Sequence, residues 1–160
     1  MDAQYQWEGY EPGKEPVAVI GKPFPELKFK SIDGLEVDVS TLKGKVVLID
    51  FWATWCGPCM AAMPEVKKAY ETYKDSGLEV IGISLDDNLA AVNKYLKKEG
   101  ITWPQYFDGK GWKNEVARRF HVHSIPRFFV LDRNGVTQYD SSKDSERLTE
   151  VVQKLCAAPL

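Results

Sequence analysis

Two cysteines in this sequence are spaced for reversible disulfide chemistry. Cys56 and Cys59 are separated only by Gly57-Pro58, and they follow the apolar run 46–51. The residues after Cys59 have helical spacing, so the pair is predicted to lie where a strand passes into a helix. Unpaired N–H groups and the helix dipole stabilise an anion at that point. Cys56 is therefore predicted to be an attacking thiolate, with a pKa below the value of about 8.5 for a free thiol.

The other residues of the motif support this arrangement. Cys59 lies one helical turn beyond Cys56, within disulfide reach, and is predicted to be the more shielded sulfur. Gly57 allows the backbone to turn. Pro58 suits a first helical turn, because the N–H group that it lacks would have no partner there.

Asp50 is an unusual residue for its position. It lies six residues before Cys56, within the apolar run that is predicted to be a buried strand. Burying a carboxylate is costly, so a functional reason is expected. The alternative is a solvated or capping carboxylate at the edge of a sheet.

Composition limits the protein classes to which this site can belong. A chain of 160 residues with 44% hydrophobic residues predicts one domain with a substantial core. The net charge of −2 provides no basic surface, so neither nucleic acid nor an anionic membrane is expected as a partner. Three cysteines are a poor disulfide framework, and Cys156 is predicted to be an inert, semi-buried thiol on the last helix.

The order of predicted elements gives an α/β fold. Residues 1–20 are predicted to be an extended arm or linker, and residues 21–160 a single domain, because Gly and Pro interrupt the arm and no periodicity survives there. Strands alternate with helices after residue 45, which predicts a sheet covered on both faces. The predicted elements are a hairpin around Asp33-Gly34, strands at 46–51 and 78–85, a helix after Cys59, a second helix capped from Asp86-Asp87-Asn88, an aromatic loop at 103–112, a short helix, a hairpin after Pro126, and a helix at 145–158.

Two segments of this sequence resemble the signatures of the thioredoxin superfamily. The first is Phe51-Trp52-Ala53-Thr54-Trp55-Cys56-Gly57-Pro58-Cys59. The second is Val122-His123-Ser124-Ile125-Pro126, followed by Phe128-Phe129-Val130-Leu131-Asp132. More narrowly, the sequence is similar to the TlpA/ResA-like branch, which is also grouped with AhpC/TSA-type domains. The resemblance implies a three-layer thioredoxin-like fold with a central mixed sheet, an N-terminal β-hairpin and a helical insertion.

The resemblance also implies roles for individual residues. Pro126 should follow a cis peptide bond and face the cysteine pair, and the backbone of Ile125 should pair with an extended substrate strand. Trp55, Gly57 and Pro58 should contact the substrate. In thioredoxins the acid at the position of Asp50 lies beneath the second cysteine, so Asp50 is expected to be the general base for Cys59.

The acidic residues near the cysteine pair differ from those of many ResA-like proteins. Many ResA-like proteins resemble each other in having Glu three residues after the second cysteine and no Asp on the strand, whereas this chain has Ala62 and Asp50. Its proton handling is therefore expected to be similar to that of an ordinary thioredoxin. This puts a dedicated role in cytochrome maturation in doubt.

The resulting prediction is a thiol–disulfide oxidoreductase that reduces protein disulfides. It is expected to need no cofactor beyond the Cys56–Cys59 disulfide, to act as a monomer, and to receive electrons from a thiol donor. The resemblance implies an extracytoplasmic bacterial protein reduced by a membrane thiol carrier. Two alternatives are a peroxiredoxin-like peroxidase and a non-catalytic thioredoxin-like binding module.

His121 and His123 alternate as metal ligands would, but nothing completes a site and no metal is expected.

Overall fold

A computed structural model of the protein describes residues 3–4 and 17–159. The helices are α1 (Gly57–Tyr73), α2 (Leu89–Glu99), α3 (Glu115–Arg119) and α4 (Leu148–Ala157). The strands are β1 (Ala3–Gln4), β2 (Lys28–Lys30), β3 (Glu36–Asp38), β4 (Val46–Trp52), β5 (Leu78–Ser84), β6 (Gln105–Phe107), β7 (Ser124–Ile125), β8 (Arg127–Leu131) and β9 (Thr137–Asp140).

The central sheet is mixed, with the strand order β6-β5-β4-β8-β9. Strands β4, β5 and β6 are parallel to one another, whereas β8 is antiparallel to β4 and β9 to β8. Every residue of β4 is buried, as its almost entirely apolar sequence predicted for a strand covered on both faces. The predicted architecture of a mixed sheet flanked by helices is confirmed.

The two faces of the sheet carry different helices. On one face the ring of Trp52 lies 5.3 Å from that of Tyr95 on α2. Helix α1 is on this face as well, because its Lys67 forms an ion pair with Glu99 of α2. On the opposite face Phe51 packs against Phe120, which ends α3. Since side chains alternate along a strand, Asp50 shares the face of Trp52, beneath the layer of α1 and α2.

The N-terminal hairpin is present, but its turn is longer than predicted. Strands β2 and β3 pair as a separate two-stranded sheet, with Lys30 opposite Glu36. The backbone N–H of Ser31 donates to the carbonyl oxygen of Leu35, so Ile32, Asp33 and Gly34 form the loop. A three-residue loop needs a left-handed backbone at only one residue, which here is Gly34 with a φ of +84°.

One prediction about the fold was wrong. The segment from Trp103 to Trp112 was predicted to be a loop, but Gln105–Phe107 within it is strand β6, parallel to β5. Three residues behind Pro104 are too few to show the period of a strand. The pairing comes from the neighbouring strand, with Gln105 opposite Gly82.

Strand β1 lies away from the central sheet. It pairs antiparallel with β7, with Ala3 opposite Ile125 and Gln4 opposite Ser124. The rest of the predicted arm up to residue 16 lies outside the described residues, so the boundary between arm and domain at residues 20 and 21 stays a prediction. No helix in the described part of the chain is long and apolar enough to cross a membrane.

Candidate active site

The two cysteines lie at the start of α1, as their spacing predicted. Cys56 is the N-cap residue of the helix, and its Sγ accepts a hydrogen bond from the backbone N–H of Cys59 at 3.2 Å. The pair forms a disulfide with the Cα atoms 5.2 Å apart. Pro58 is in the first turn, where its missing N–H leaves no helical bond unmade. The Cys59 N–H thus lies where it would also stabilise a Cys56 thiolate after reduction.

The predicted difference in shielding between the two cysteines is not seen. Cys56 is 1% exposed and Cys59 is 2% exposed, so both are buried in this disulfide state. Cys56 is buried because a segment distant in sequence covers it: the carbonyl oxygen of Ile125 is 3.7 Å from the Sγ of Cys56. The strand before Pro126 therefore covers the outer cysteine.

Pro126 lies directly beside this contact, and the Ile125–Pro126 peptide bond is cis. The next residue is firmly held, because the Arg127 guanidinium donates two hydrogen bonds to the Asp140 carboxylate, at 2.8 and 3.0 Å. Burial would raise the pKa of Asp140, but these bonds from Arg127 hold it below its usual value. The bidentate pair fixes the start of β8 and with it the position of Pro126.

Asp50 lies in the middle of β4 and is 2% exposed. Burial raises the pKa of its carboxyl group to about 8. Its Oδ1 has no hydrogen-bond partner among the described residues. Of the two interpretations of this residue, the buried acid fits the structure and the solvated carboxylate does not. An acid with this pKa exchanges a proton near neutral pH.

The loop between β4 and α1 is tied down by Asp86. Its carboxylate accepts hydrogen bonds from the backbone N–H and the hydroxyl of Thr54, and from the hydroxyl of Ser84. Asp86 was predicted to be one of the cap residues of α2, but only the side chain of Asn88 caps that helix. Asp86 is instead buried and fixes the backbone two residues before Cys56.

The surface beside the disulfide is aromatic. Trp55 is 47% exposed, and its ring lies 5.6 Å from that of Trp112. Its indole N–H donates to the carbonyl oxygen of Leu85 at 3.3 Å. Gly57 is exposed, while Pro58 and Pro126 are half-buried. The residues predicted to contact substrate thus surround the Cys56 side of the pair.

The remaining candidate residues lie apart from this chemistry. Cys156 is a buried free thiol on α4, and burial raises its pKa, so it is a poor nucleophile. His121 follows α3 with a left-handed backbone, at a φ of 54°. Within the part of the chain that the structure describes, no three His, Cys, Asp or Glu side chains are grouped to hold a metal ion.

Sequence reasoning missed Gln105 and Gly82 near Asp50. The Oε1 of Gln105 accepts a hydrogen bond from the indole N–H of Trp52 at 2.9 Å. A Cβ at Gly82 would clash with the same oxygen, so only glycine leaves room for this side chain. The glycine inside strand β5 was the available signal, because such a residue often marks a close approach by another group.

Comparison with known proteins assigns the family. The model of the Redoxin family matches residues 20–155, which include both cysteines, Asp50 and Pro126. The chain belongs to the Redoxin family. This redoxin resembles thiol-disulfide oxidoreductase ResA of Bacillus cereus (strain ATCC 10987 / NRS 248), with 30% identity over 151 residues, 93% of this chain and 85% of the relative. ResA of Oceanobacillus iheyensis is 33% identical over 120 residues, 72% of this chain and 61% of that protein.

Solved structures give the same result. The thioredoxin domain of a thiol-disulfide oxidoreductase from Bacteroides vulgatus matches with a TM-score of 0.73 and 25% identity, over 86% of this chain and 98% of that one. A thiol-disulfide oxidoreductase from Bacteroides fragilis matches with a TM-score of 0.73 and 27% identity, over 84% and 99%. The predicted thioredoxin-like fold of the TlpA/ResA-like type is confirmed.

The class of activity is confirmed as well. This redoxin is a thiol–disulfide oxidoreductase, and its substrates contain disulfides, as the Cys56–Cys59 pair and the relatives show. The relatives named above are thiol–disulfide oxidoreductases, whereas a peroxidase or a binding module was the alternative.

Proposed function

We propose that this redoxin reduces disulfides of protein substrates through Cys56 and Cys59. The Cys56 thiolate attacks one substrate sulfur, forming a mixed disulfide and releasing the other substrate sulfur as a thiolate, which takes a proton. Cys59 then loses its proton and attacks the Sγ of Cys56, which releases the second substrate thiol and forms the Cys56–Cys59 disulfide. Two electrons pass from the cysteine pair to the substrate.

The observation that carries this proposal is the position of Cys56. Its sulfur caps α1 and accepts the N–H of Cys59, so the helix end stabilises the sulfur as an anion both when it attacks and when it is displaced. The Gly57-Pro58 pair supports the reducing direction, since it is the dipeptide of thioredoxins, which the sequence resembles. About 30 mV in reduction potential corresponds to about 1.4 kcal/mol for this couple, so modest electrostatic effects set the direction.

Asp50 is the proposed proton acceptor for Cys59. It lies beneath the helix layer that carries Cys59, and its pKa of about 8 lets it take a proton and return it near neutral pH. Asp50 is buried, and its Oδ1 has no hydrogen-bond partner among the described residues. This oxygen is therefore available to accept a proton. The Asp therefore serves the step in which the mixed disulfide is resolved.

The proposed substrate site is the surface around the outer cysteine. Trp55 and Gly57 are exposed there, Pro58 and Pro126 are partly exposed, and the backbone of Ile125 is in contact with Cys56. An extended polypeptide that adds to the backbone of β7 would bring its disulfide to Cys56 whatever its side chains. Such binding suits substrates of varied sequence.

The rest of the proposal concerns the cellular setting. The cysteine pair itself carries the two electrons, so no bound cofactor is required. The site takes Cys56, Cys59, Asp50 and Pro126 from one chain, which suits a monomer. We place the protein outside the bacterial cytoplasm, where a thiol donor held in the membrane returns it to the dithiol form, because the TlpA/ResA-like branch that it resembles acts there.

Cysteine variants test the mechanism. In an insulin-disulfide reduction assay, Cys56→Ser is expected to lose activity entirely, because no other thiol is activated. Cys59→Ser is expected to accumulate a mixed disulfide with the substrate, visible by mass spectrometry. Cys156→Ser is the matched control and should keep the wild-type rate, because that thiol is buried away from the pair.

A glutathione or dithiothreitol titration tests the direction. A reduction potential near about −270 mV supports a reductant, whereas a value near −120 mV would identify an oxidant. Activity that survives Cys56→Ser would contradict the exchange mechanism itself.

A further inference from the structure

The backbone edge beside Cys56 is already occupied in this structure. Strand β7 pairs antiparallel with β1, so that Ala3 lies opposite Ile125 and Gln4 opposite Ser124. Ile125 is also the residue whose carbonyl oxygen lies 3.7 Å from the Sγ of Cys56. The chain's own N-terminal segment therefore forms the ladder that an added substrate strand would form.

The burial of the nucleophile agrees with a closed arrangement. Cys56 is 1% exposed, yet a substrate disulfide or a donor thiolate must reach its Sγ along the line of the sulfur–sulfur bond. Attack therefore requires that the surroundings of Cys56 open. A pairing of only two residues is a weak contact by itself, so it can open readily.

We propose that Ala3–Gln4 competes with substrate for the β7 edge and, by holding Ile125 over Cys56, keeps the sulfur covered until substrate displaces it. This inference rests on the proposed function, because it concerns the binding site of that reaction. Its tether to the domain gives the segment a high effective concentration, which compensates for the few bonds it makes. Substrates that add a longer strand win the competition, whereas small thiol reagents meet a covered sulfur.

Proline substitution in β1 tests the competition. Ala3→Pro combined with Gln4→Pro removes both N–H donors and prevents the ladder. The reduced variant is expected to react with iodoacetamide at Cys56 about three to ten times faster than the wild type, in proportion to the open fraction gained. The backbone amides of Ser124 and Ile125 should also exchange faster with solvent. Ala3→Val combined with Gln4→Thr is the matched control, because strand-forming residues keep the pairing and the slow rate.

The outcomes separate this inference from the proposed function. Equal alkylation and equal amide exchange in the proline variant and the wild type, in a protein that still reduces insulin, would overturn the competition alone. Loss of insulin reduction in both proteins would instead overturn the proposed function, while the amide-exchange comparison would still decide whether β1 covers β7.

A second, independent observation concerns a row of residues across the sheet. Asp50 on β4 lies opposite Gly82 on β5, which lies opposite Gln105 on β6. Adjacent strands are about 4.8 Å apart, so Gln105 and Asp50 are separated by about 10 Å at the backbone. The Gln105 side chain crosses Gly82, because its amide atoms fill the space that a Cβ there would need.

Two buried polar atoms in this row lack partners. The Oε1 of Gln105 is used by the indole N–H of Trp52, which leaves the Nε2 with no acceptor among the described residues. The Oδ1 of Asp50 lacks a donor in the same set of residues. A buried donor and a buried acceptor on one face of a sheet are expected to pair, directly or through one water.

We infer that Gln105 is a positioning residue whose amide N–H reaches the Asp50 carboxylate through one bridging water and holds it for proton exchange with Cys59. This too rests on the proposed role of Asp50. Helices α1 and α2 also bring titratable groups to this face, among them Cys59, Tyr95 and the ion pair of Lys67 with Glu99. Burial raises the pKa of Tyr95 to about 12, so it stays neutral through the working range.

Titration of Asp50 tests this inference without turnover. In the oxidised protein, Gln105→Leu is expected to raise the pKa of Asp50, read from its carboxyl carbon by NMR, by about one unit, because a lost donor disfavours the carboxylate. Gln105→Glu, which is nearly isosteric, should raise it further by adding a like charge. Gln153→Leu on the exposed face of α4 is the matched control and should leave the pKa unchanged.

A second pair of variants tests the passage over Gly82. Gly82→Ala should displace Gln105 and raise the Asp50 pKa as Gln105→Leu does. In a Gln105→Ala background the same change should have little effect, because the clash is gone. An Asp50 pKa that is the same in the Gln105 variants and the wild type would overturn the inference, whereas failure of wild-type exchange would overturn the proposed function instead.

Discussion

At the scale of single residues, Asp50 has the most unusual environment. It is an acid on a fully buried strand, and burial raises its pKa from 3.8 to about 8. Between these two values the folded protein holds a proton that the unfolded chain has lost. The free energy of unfolding therefore falls as pH rises from about 4 to about 8, and is level above that range.

Asp50→Asn tests this dependence. The variant should match the wild type at about pH 3, where the Asp50 side chain is neutral in both the folded and the unfolded protein. By pH 8 to 9 it should be more stable by about 2–5 kcal/mol, since each unit of pKa shift corresponds to about 1.4 kcal/mol. Urea unfolding of the oxidised proteins across this pH range measures the difference.

The control for this prediction is Asp75→Asn, at an exposed aspartate. Its stability relative to the wild type should not change over the same pH range. A gain from Asp50→Asn that does not vary with pH would show that the carboxyl group is not protonated in the folded state. The same variant should also slow resolution of the mixed disulfide, because it cannot accept a proton.

At the scale of elements, the junction of β4 and α1 depends on a carboxylate from the next strand. Asp86 follows β5 and binds both the backbone and the hydroxyl of Thr54. The helix start, and with it the anion site at Cys56, is thus held from the side as well as by its own capping. A loose loop would let the Cys56 sulfur move away from the N–H groups that stabilise it.

Asp86→Asn is expected to weaken this junction. The amide presents N–H groups where the site supplies donors, so at least one buried hydrogen bond is lost, at a cost of about 1–3 kcal/mol in unfolding free energy. The alkylation pKa of Cys56 in the reduced protein should rise at the same time. Thermal or urea unfolding and a pH series of alkylation rates measure the two effects.

Asp87→Asn is the matched control, because the neighbouring aspartate is exposed. It should change neither stability nor the Cys56 pKa by a measurable amount. An Asp86→Asn protein with normal stability and a normal Cys56 pKa would show that the loop is held by other contacts.

At the scale of the whole molecule, the end of the sheet far from the cysteines is tied together by Arg133. Its guanidinium donates to backbone carbonyl oxygens from the turn before β4, the turn before β5 and the end of α4. These acceptors are Gly44 at 2.9 Å, Ser76 at 2.9 Å, Cys156 at 2.8 Å and Ala158 at 3.3 Å. The planar fork of arginine suits several acceptors at once, which an ammonium group does not.

Arg133→Lys should therefore lower the stability of the protein without changing the reactivity of Cys56. It is expected to lower the unfolding free energy by about 1–3 kcal/mol, because the part-buried carbonyl groups of Gly44 and Cys156 and two exposed ones lose hydrogen bonds. The rate of Cys56 alkylation should stay within about twofold of the wild type, since the cysteines lie at the opposite end of the parallel strands. Arg118→Lys, at an exposed arginine, is the control for both measurements. A large change in Cys56 reactivity would show that the two ends of the sheet are coupled.

The sequence alone determined the features that adjacent residues encode. The helix start at Cys56, the buried strand that precedes it and the closing hairpin could be predicted, because capping, burial and turns leave their pattern within a few residues. The resemblance added the role of Asp50. The sequence predicted that the burial of this acid serves a function, but it did not predict which groups surround the carboxylate.

Only the tertiary structure decided the contacts between distant segments. Gln105 meets Trp52 across 53 residues of sequence, Asp86 meets Thr54 across 32, and Ala3 lies opposite Ile125, more than a hundred residues later. Such pairs depend on which strands become neighbours and on their register, and a shift of one residue would turn each side chain to the other face. Neighbouring residues in the sequence specified the reactive sulfur, and the pairing of distant strands decided which groups hold it and which cover it.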